Sequence, residues 1–415
     1  MTAPADGTGP GLDRLPIALA ACFGLAAATM TTFPVVAPEV VSELGLSYAE
    51  TGVITAAYML GYGLFQLPAS FLGIRLGSGR VLLGTMALMS VGALLPLLDR
   101  PSAWVASRFV LGIAGAAVLP LSVHLLTQAM TGARLVKGLG VAISGWGAGM
   151  SVAMLGAAPL LRLAGWRAVM LAAAVLGLLV AAGLNRALPP RSRIGDRAGG
   201  TPRPAQLLRQ FGTNRALNGM SVINAAGTSM LICVSGWLPL YISRAFGTPA
   251  DEISATLSPL GLGIAFGAWV GGALTIRFGW KRVVIASMVA SGLLVASIPL
   301  QSSAILIVAT AIVIGWVAMF FAAPTQSLFP FVIAEDWTAL AAGYYNTIGF
   351  FGAFAASLLF GFLADRAGDF AAGWLSLSAI SVIGILAVLA VPIPALVHSL
   401  PRAETAPVAP HARVP

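Results

Sequence analysis

The chain has 415 residues, of which 58% are apolar and only 9% charged, and its mean hydropathy is +0.92. A soluble domain carries about 25% charged residues, so water-soluble classes are excluded and lipid is the expected solvent. The net charge of +9 is scattered among apolar runs rather than gathered on a soluble module. That argues against a nucleic-acid partner and for basic residues collected in loops on one side of a bilayer.

Met1–Pro16 is short, polar and rich in Gly and Pro, and Asp13 offsets Arg14. The apolar run Ile17–Ala37 is longer than a signal-peptide core, so a retained first helix is expected. A crossing needs about 20 mainly apolar residues. By that ruler spans fall near 15–37, 48–72, 81–99, 102–128, 136–161 and 166–186, then near 214–243, 252–275, 282–300, 303–329, 338–364 and 371–397. Between the two sets lies a polar connector, with Pro189, Pro190, Pro202 and Pro204 among Arg191, Arg193, Arg197, Arg203 and Arg209. The expectation is an all-α integral membrane protein of twelve transmembrane helices. It reads as tail 1–14, six-helix bundle 15–186, connector 187–213, six-helix bundle 214–397 and tail 398–415.

Basic residues set the orientation. With the N-terminus in the cytoplasm, seventeen Lys and Arg fall in inside segments and five outside (Arg100, Arg162, Arg167, Arg244 and Arg366). This predicts both termini inside, which also requires an even number of spans. The two cysteines, Cys22 and Cys233, sit in apolar runs and read as small buried hydrophobes, not as a disulfide or metal site.

The halves echo each other. Ser70-Phe-Leu-Gly-Ile-Arg75-Leu-Gly77 follows the second span, and Gly272-Ala-Leu-Thr-Ile-Arg277-Phe-Gly279 follows the eighth; Arg80 and Lys281-Arg282 come next. Gly147-Ala148 and Gly156 of the fifth span are matched by Gly352-Ala353 and Gly361 of the eleventh. Internal repeats of this kind mark alternating-access transporters with a midplane site between the halves.

With these features the chain resembles the major facilitator superfamily of transporters over essentially its whole length. The family's loop signature, G-x-x-x-D-R-x-G-R-[RK], is matched at Arg75, Gly77 and Arg80, and again at Gly272, Arg277, Gly279, Lys281 and Arg282. Its acidic position is Ile74 in one copy and Ile276 in the other, and Ser70 replaces the leading glycine. In the family that Asp helps latch the halves on the cytoplasmic side, so the resemblance implies a different latch here. The loop residues are expected to gate, with simple positive-inside anchoring of Arg75 and Arg277 as the alternative. Gly145-Trp-Gly-Ala-Gly149 is similar to the antiporter signature G-x-x-x-G-P, with Met150 in place of proline, and also fits plain close helix packing. No subfamily is assigned.

Arg108 is followed by Gly112 and Gly115 on one helical face, and it is the one strongly basic residue well inside a predicted span. An ion there costs about 2.5–3.5 kcal/mol on insertion scales. It is expected to face the bundle interior and draw in substrate, the alternative being a side chain that snorkels to the outer interface. Tyr58, Tyr62 and Gln66 share a face of span two, and Ser221, Asn224 and Thr228 a face of span seven. With Trp146, Trp316, Tyr345 and Asn346 they are candidate substrate contacts, each of which packing glue would explain equally well. By these span limits every Asp and Glu lies in a loop or at a membrane edge. That leaves His124, the only span histidine, and Glu39 as proton-coupling candidates.

No phosphate-binding glycine loop, H-E-x-x-H or nucleophile elbow occurs. The expectation is therefore no enzyme, no cofactor and no metal. What remains is a secondary transporter, acting as a monomer, for an anionic or neutral small organic solute, with a coupling proton or counter-solute. The rivals are efflux of lipophilic drugs and, from another class, a transport-inactive sensor or assembly factor. The Arg-over-Lys bias and abundant Ala place the chain in a bacterial inner membrane.

Overall fold

The computed structural model describes residues 14–130, 132–188, 204–326, 328, 332–333 and 338–392. Both predicted tails (to within a residue of the first) and the connector's Pro189–Arg203 lie outside the described residues. Hydrocarbon offers backbone groups no hydrogen bonds, so a spanning chain must satisfy them within helices. Accordingly, no strand occurs among the described residues.

The first half runs α1 (Leu15–Leu44), α2 (Tyr48–Leu76), α3 (Ser78–Leu94), α4 (Pro101–Ala116), α5 (Val118–Ala129) and α6 (Gly132–Ala187). A short α7 (Pro204–Thr213) precedes the second half. That half holds α8 (Arg215–Phe246), α9 (Ala250–Leu257), α10 (Pro259–Phe278), α11 (Trp280–Ser297), α12 (Ala304–Ala318), α13 (Ala322–Gln326), α14 (Thr338–Ala367) and α15 (Ala371–Ala390). α4 with α5, α9 with α10 and α12 with α13 each make one crossing. α6 makes two, because Gly165 breaks it at φ 69°, ψ −173°. The total is twelve transmembrane helices in two six-helix bundles.

Local chemistry sets the ends. Ser47 and Glu50 form a reciprocal capping box at the start of α2, and the Asn214 carboxamide accepts from Leu217 N at the start of α8. Neither Pro34 nor Pro38 ends α1, which continues past its predicted limit to a left-handed Gly45. α15 stops at Ala390, short of the expected 397. Val391 is extended ahead of Pro392, as a residue before proline prefers.

The repeat is built into the backbone. Each positive-φ glycine among the described residues has a counterpart in the other half: Gly45 with Gly247, Gly77 with Gly279, and Gly165 with Gly368. The partners lie 202, 202 and 203 residues apart. Gly77 (φ 92°) and Gly279 (φ 81°) both close one helix and open the next, so the repeated loop signature marks a turn that a Cβ would strain.

The two ends of the molecule differ. One carries Arg75, Arg80, Arg277 and Arg282, all exposed, and is called here the basic end. The other, the acidic end, carries Glu39, Glu43, Asp99, Asp251 and Asp365. There the apolar cores of the halves merge into one cluster, in which Phe33, Trp104 and Trp166 of the first half join Trp237, Phe360 and Trp374 of the second. Toward the basic end each half keeps a largely separate core.

Candidate substrate site

Arg108 lies in α4 with only 1% of its surface exposed. It reaches α4's neighbour α1, where Nη1 donates to the Thr29 carbonyl at 2.7 Å and Nη2 to the Met30 carbonyl at 2.9 Å. The Met30 carbonyl is available for a sequence reason. Its usual donor would be the N–H of residue 34, and Pro34 has none. The guanidinium also sits 4.6 Å from the centre of the Tyr58 ring and 6.0 Å from that of Phe33. Nε is buried without a partner, and no carboxylate pairs with Arg108 among the described residues. The charge thus faces inward rather than snorkelling.

Glycines bring the helices this close. A Cβ on Gly112 would sit 2.1 Å from the Tyr58 carbonyl oxygen, and one on Gly115 2.7 Å from the Tyr58 hydroxyl. Only bare backbone lets α4 press against α2.

Beside Arg108 is a crevice of about 10 Å³, bordered by Met30, Thr31 and Pro34 of α1, Thr55 and Met59 of α2, and Ile232, Ser235 and Gly236 of α8. It is no larger than about one water and has walls from both halves. On its basic-end side the Tyr62 ring stacks on Phe350 of the second half at 4.0 Å, with the Trp146 ring edge-on at 6.4 Å. A larger depression of about 470 Å³ lies at the acidic end on Pro38, Glu39, Ser42, Glu43, Ser243 and Ala250. Its charged lining is acidic, so it offers an anion nothing to pair with, and Arg108 is not part of it.

The other candidates distribute as follows. Tyr58, Tyr62 and Trp146 gather with Arg108; Gln66 is buried further along α2, its Nε2 without a partner. Asn224 donates to the Tyr345 carbonyl at 3.0 Å and accepts from Thr228, and the Tyr345 hydroxyl meets Thr325 at 2.7 Å. These groups bind α8, α13 and α14 to each other. Asn346 is half-buried on α14, whereas Trp316 is 49% exposed against Gly263 of α10. His124 is half-buried in the later turns of α5. Glu39 accepts from Trp166 N at 3.0 Å, capping the arm of α6 that starts after Gly165. In the loops, Lys281 donates to the Val391 carbonyl at 3.4 Å and Arg277 lies over the Phe278 ring. Sequence reasoning missed Phe350, Thr31, Thr55 and Ser235. Pro34 was a visible signal, since a proline inside a span frees a carbonyl four residues earlier.

The sequence matches the model of the Major Facilitator Superfamily over residues 19–267 and 217–414. The chain belongs to that family. A relative similar to it is the probable sulfoacetate transporter SauU of Cupriavidus necator, 24% identical over 386 residues that cover 86% of this chain and 88% of the relative. The fold is also that of the nucleoside transporter NupG (D323A mutant), with a TM-score of 0.76 and 15% identity over 91% of this chain and all of that one. A bacterial homologue of the lysosomal transporter Spinster, inward-facing and unoccupied, superposes with a TM-score of 0.70 and 17% identity, covering 93% and 95% of the two chains. This superfamily member is thus a multi-pass membrane protein of a transporter family.

Pro34 can be tested directly. Pro34→Ala supplies the missing N–H and removes an interior proline that costs a helix about 3 kcal/mol. The empty protein should melt higher. Its Met30 carbonyl gains the N–H of residue 34 and is drawn back into α1, which weakens one of the two anchors of Arg108. Thermal melting of the two proteins in one detergent reads the effect.

Proposed function

We propose that this protein is a secondary active transporter that moves a small organic anion by rocking its two six-helix halves about a site at Arg108. The observation that carries the reading is the buried guanidinium, which lines a crevice between the halves with Nε unpartnered and, among the described residues, no carboxylate paired with it. A cation held this way in a low-dielectric site favours an incoming anion. The relative named as a probable sulfoacetate transporter supports the same class, since sulfoacetate carries a sulfonate and a carboxylate. Thr31, Thr55 and Ser235 border the crevice, with their hydroxyls donating to the Ala27, Thr51 and Ile232 carbonyls of their own helices. Tyr58, Tyr62 and Trp146 would shape it from one side, with Gln66, Asn224, Trp316, Tyr345 and Asn346 further from the cation.

The positive-inside count supports an orientation with the basic end, both termini and the connector on the cytoplasmic side, in what we take to be a bacterial inner membrane. The proposed halves are 15–186 and 214–397. The turns around Gly77 and Gly279, with their flanking Arg and Lys, serve as the cytoplasmic gating loops. Coupling is to a proton or a counter-solute, with Glu39 and His124 as the groups to neutralise.

The test is flux in proteoliposomes. Sulfonates and carboxylates of two to four carbons are expected to be taken up, and lipophilic cationic dyes are not. Dye export without anion uptake would replace this reading with drug efflux, and absence of any flux would favour a sensor.

A further inference from the structure

The polar contacts that join the halves are unevenly placed. Asp365, in the last turn of α14, accepts from the backbone N–H of Tyr48 at 2.8 Å and of Ala49 at 3.0 Å. These residues open α2, in the other half. A helix start leaves four N–H groups without acceptors inside the helix. The capping box of Ser47 and Glu50 already serves Glu50 N, and the Ser47 N–H just before the helix. Asp365 takes the two it leaves, and brings a negative charge to the positive end of the α2 dipole. Close backbone packing surrounds this contact: a Cβ on Gly361 would lie 2.6 Å from the Tyr48 carbonyl oxygen, and one on Gly52 3.1 Å from that of Ser357. A second charged contact at the same end pairs Arg162 of α6 with Asp251 of α9 at 2.9 Å.

Nearer the basic end, a cross-half bond among the described residues is neutral, from the Thr347 hydroxyl to the Gly63 carbonyl at 3.1 Å. Among the described residues no ion pair joins the halves there. The two loop signatures carry Ile74 and Ile276 where an acid would stand.

We propose that Asp365 is a helix cap acting in trans, a latch that holds the acidic end closed and lets go each time that end opens. Together with the Arg162–Asp251 pair it biases the resting chain toward the state open at the basic end. The proposal rests on the alternating-access reading above. Asp365 is exposed at the rim, so its hold is modest and weakened by salt.

Ser357 provides the reporter. It is fully buried against Gly52, so a thiol there meets a membrane-impermeant maleimide only when the acidic end parts. With Cys22→Ala and Cys233→Ala removing background, Ser357→Cys is labelled in the full chain reconstituted in liposomes. Adding Asp365→Asn should raise the labelling rate about two- to fivefold, the scale of a carboxylate at a helix start. Asp365→Glu, which keeps the charge and guards against a variant that fails to assemble, should give a smaller rise. High salt should speed labelling more with Asp365 present than in the Asn variant, where only the Arg162–Asp251 pair is left to screen. Asp369→Asn is the control, because that carboxylate caps Ala371 N within its own half at 2.8 Å; it should leave the rate alone. An unchanged rate in Asp365→Asn, or an equal rise in Asp369→Asn, overturns the latch. The readout needs no flux. Faster labelling in a protein that moves no solute would therefore keep the latch and sink the transport reading.

Discussion

Replacing Arg108 with alanine is expected to weaken binding of a small sulfonate or carboxylate by about two to four orders of magnitude and to abolish its flux. A hydrogen bond to a charged group is worth about 1.5–3 kcal/mol, and a planar fork offers an oxyanion two of them, so about 3–6 kcal/mol is at stake. Stability should change far less, because opposing effects meet. The variant leaves the Met30 carbonyl without a donor, at about 1–3 kcal/mol for a buried group, while the Thr29 carbonyl keeps the Thr32 hydroxyl at 2.8 Å. It also removes an ion that lacks a counter-charge, whose burial costs several kcal/mol even after relaxation. Arg108→Lys keeps the charge but not the fork. A single ammonium would have to choose between the α1 carbonyls and the solute, so affinity should fall about tenfold to a hundredfold. Calorimetric titration against each variant, with thermal melting on the same samples, separates binding from folding. Full anion affinity in Arg108→Ala would remove the site from this part of the molecule.

Composition made the fold legible, because a bilayer permits so few alternatives. Once charged residues are too scarce for water, helices of about 20 residues are the one solution for a chain of this pattern, and a ruler finds them. The repeated turn was readable because its physics sits in one residue type: Gly77 and Gly279 both need positive φ. Arg108 stood out as a charge where charges are expensive. Its partners did not, because backbone carbonyls have no letter in a sequence. Which face of a helix looks inward was also hidden. Asn224 and Tyr345 share a bond within the second half, and Trp316 sits half exposed beside α10, although all three had equal claim to a cavity by spacing. Asp365 read as one more acid at a membrane edge. Its role depends on a helix start more than 300 positions away, and no local pattern records such a distance.

Gly145→Ala and Gly149→Ala are each expected to destabilise the protein by about 1–3 kcal/mol, the usual range for forcing a group into a packed contact. A Cβ on Gly145 would stand 2.1 Å from the Ala20 carbonyl oxygen, and one on Gly149 2.2 Å from the Gly24 Cα. Both obstacles are backbone of α1, so no side chain can turn aside and the helices must part. Lipid gives no hydrophobic push to hold two helices together, which leaves close packing of small residues to do it. Separating α1 from α6 also loosens the helix whose Thr29 and Met30 carbonyls hold Arg108. Anion affinity should therefore drop along with stability. Gly156→Ala, on the same helix, supplies the comparison. A Cβ there meets nothing within 4 Å, so the change should be neutral or favourable by up to about 1 kcal/mol from helix propensity. Melting temperatures of the three variants in one detergent decide the matter. If all three shift alike, the glycines act through backbone flexibility and the contact between α1 and α6 is not what they maintain.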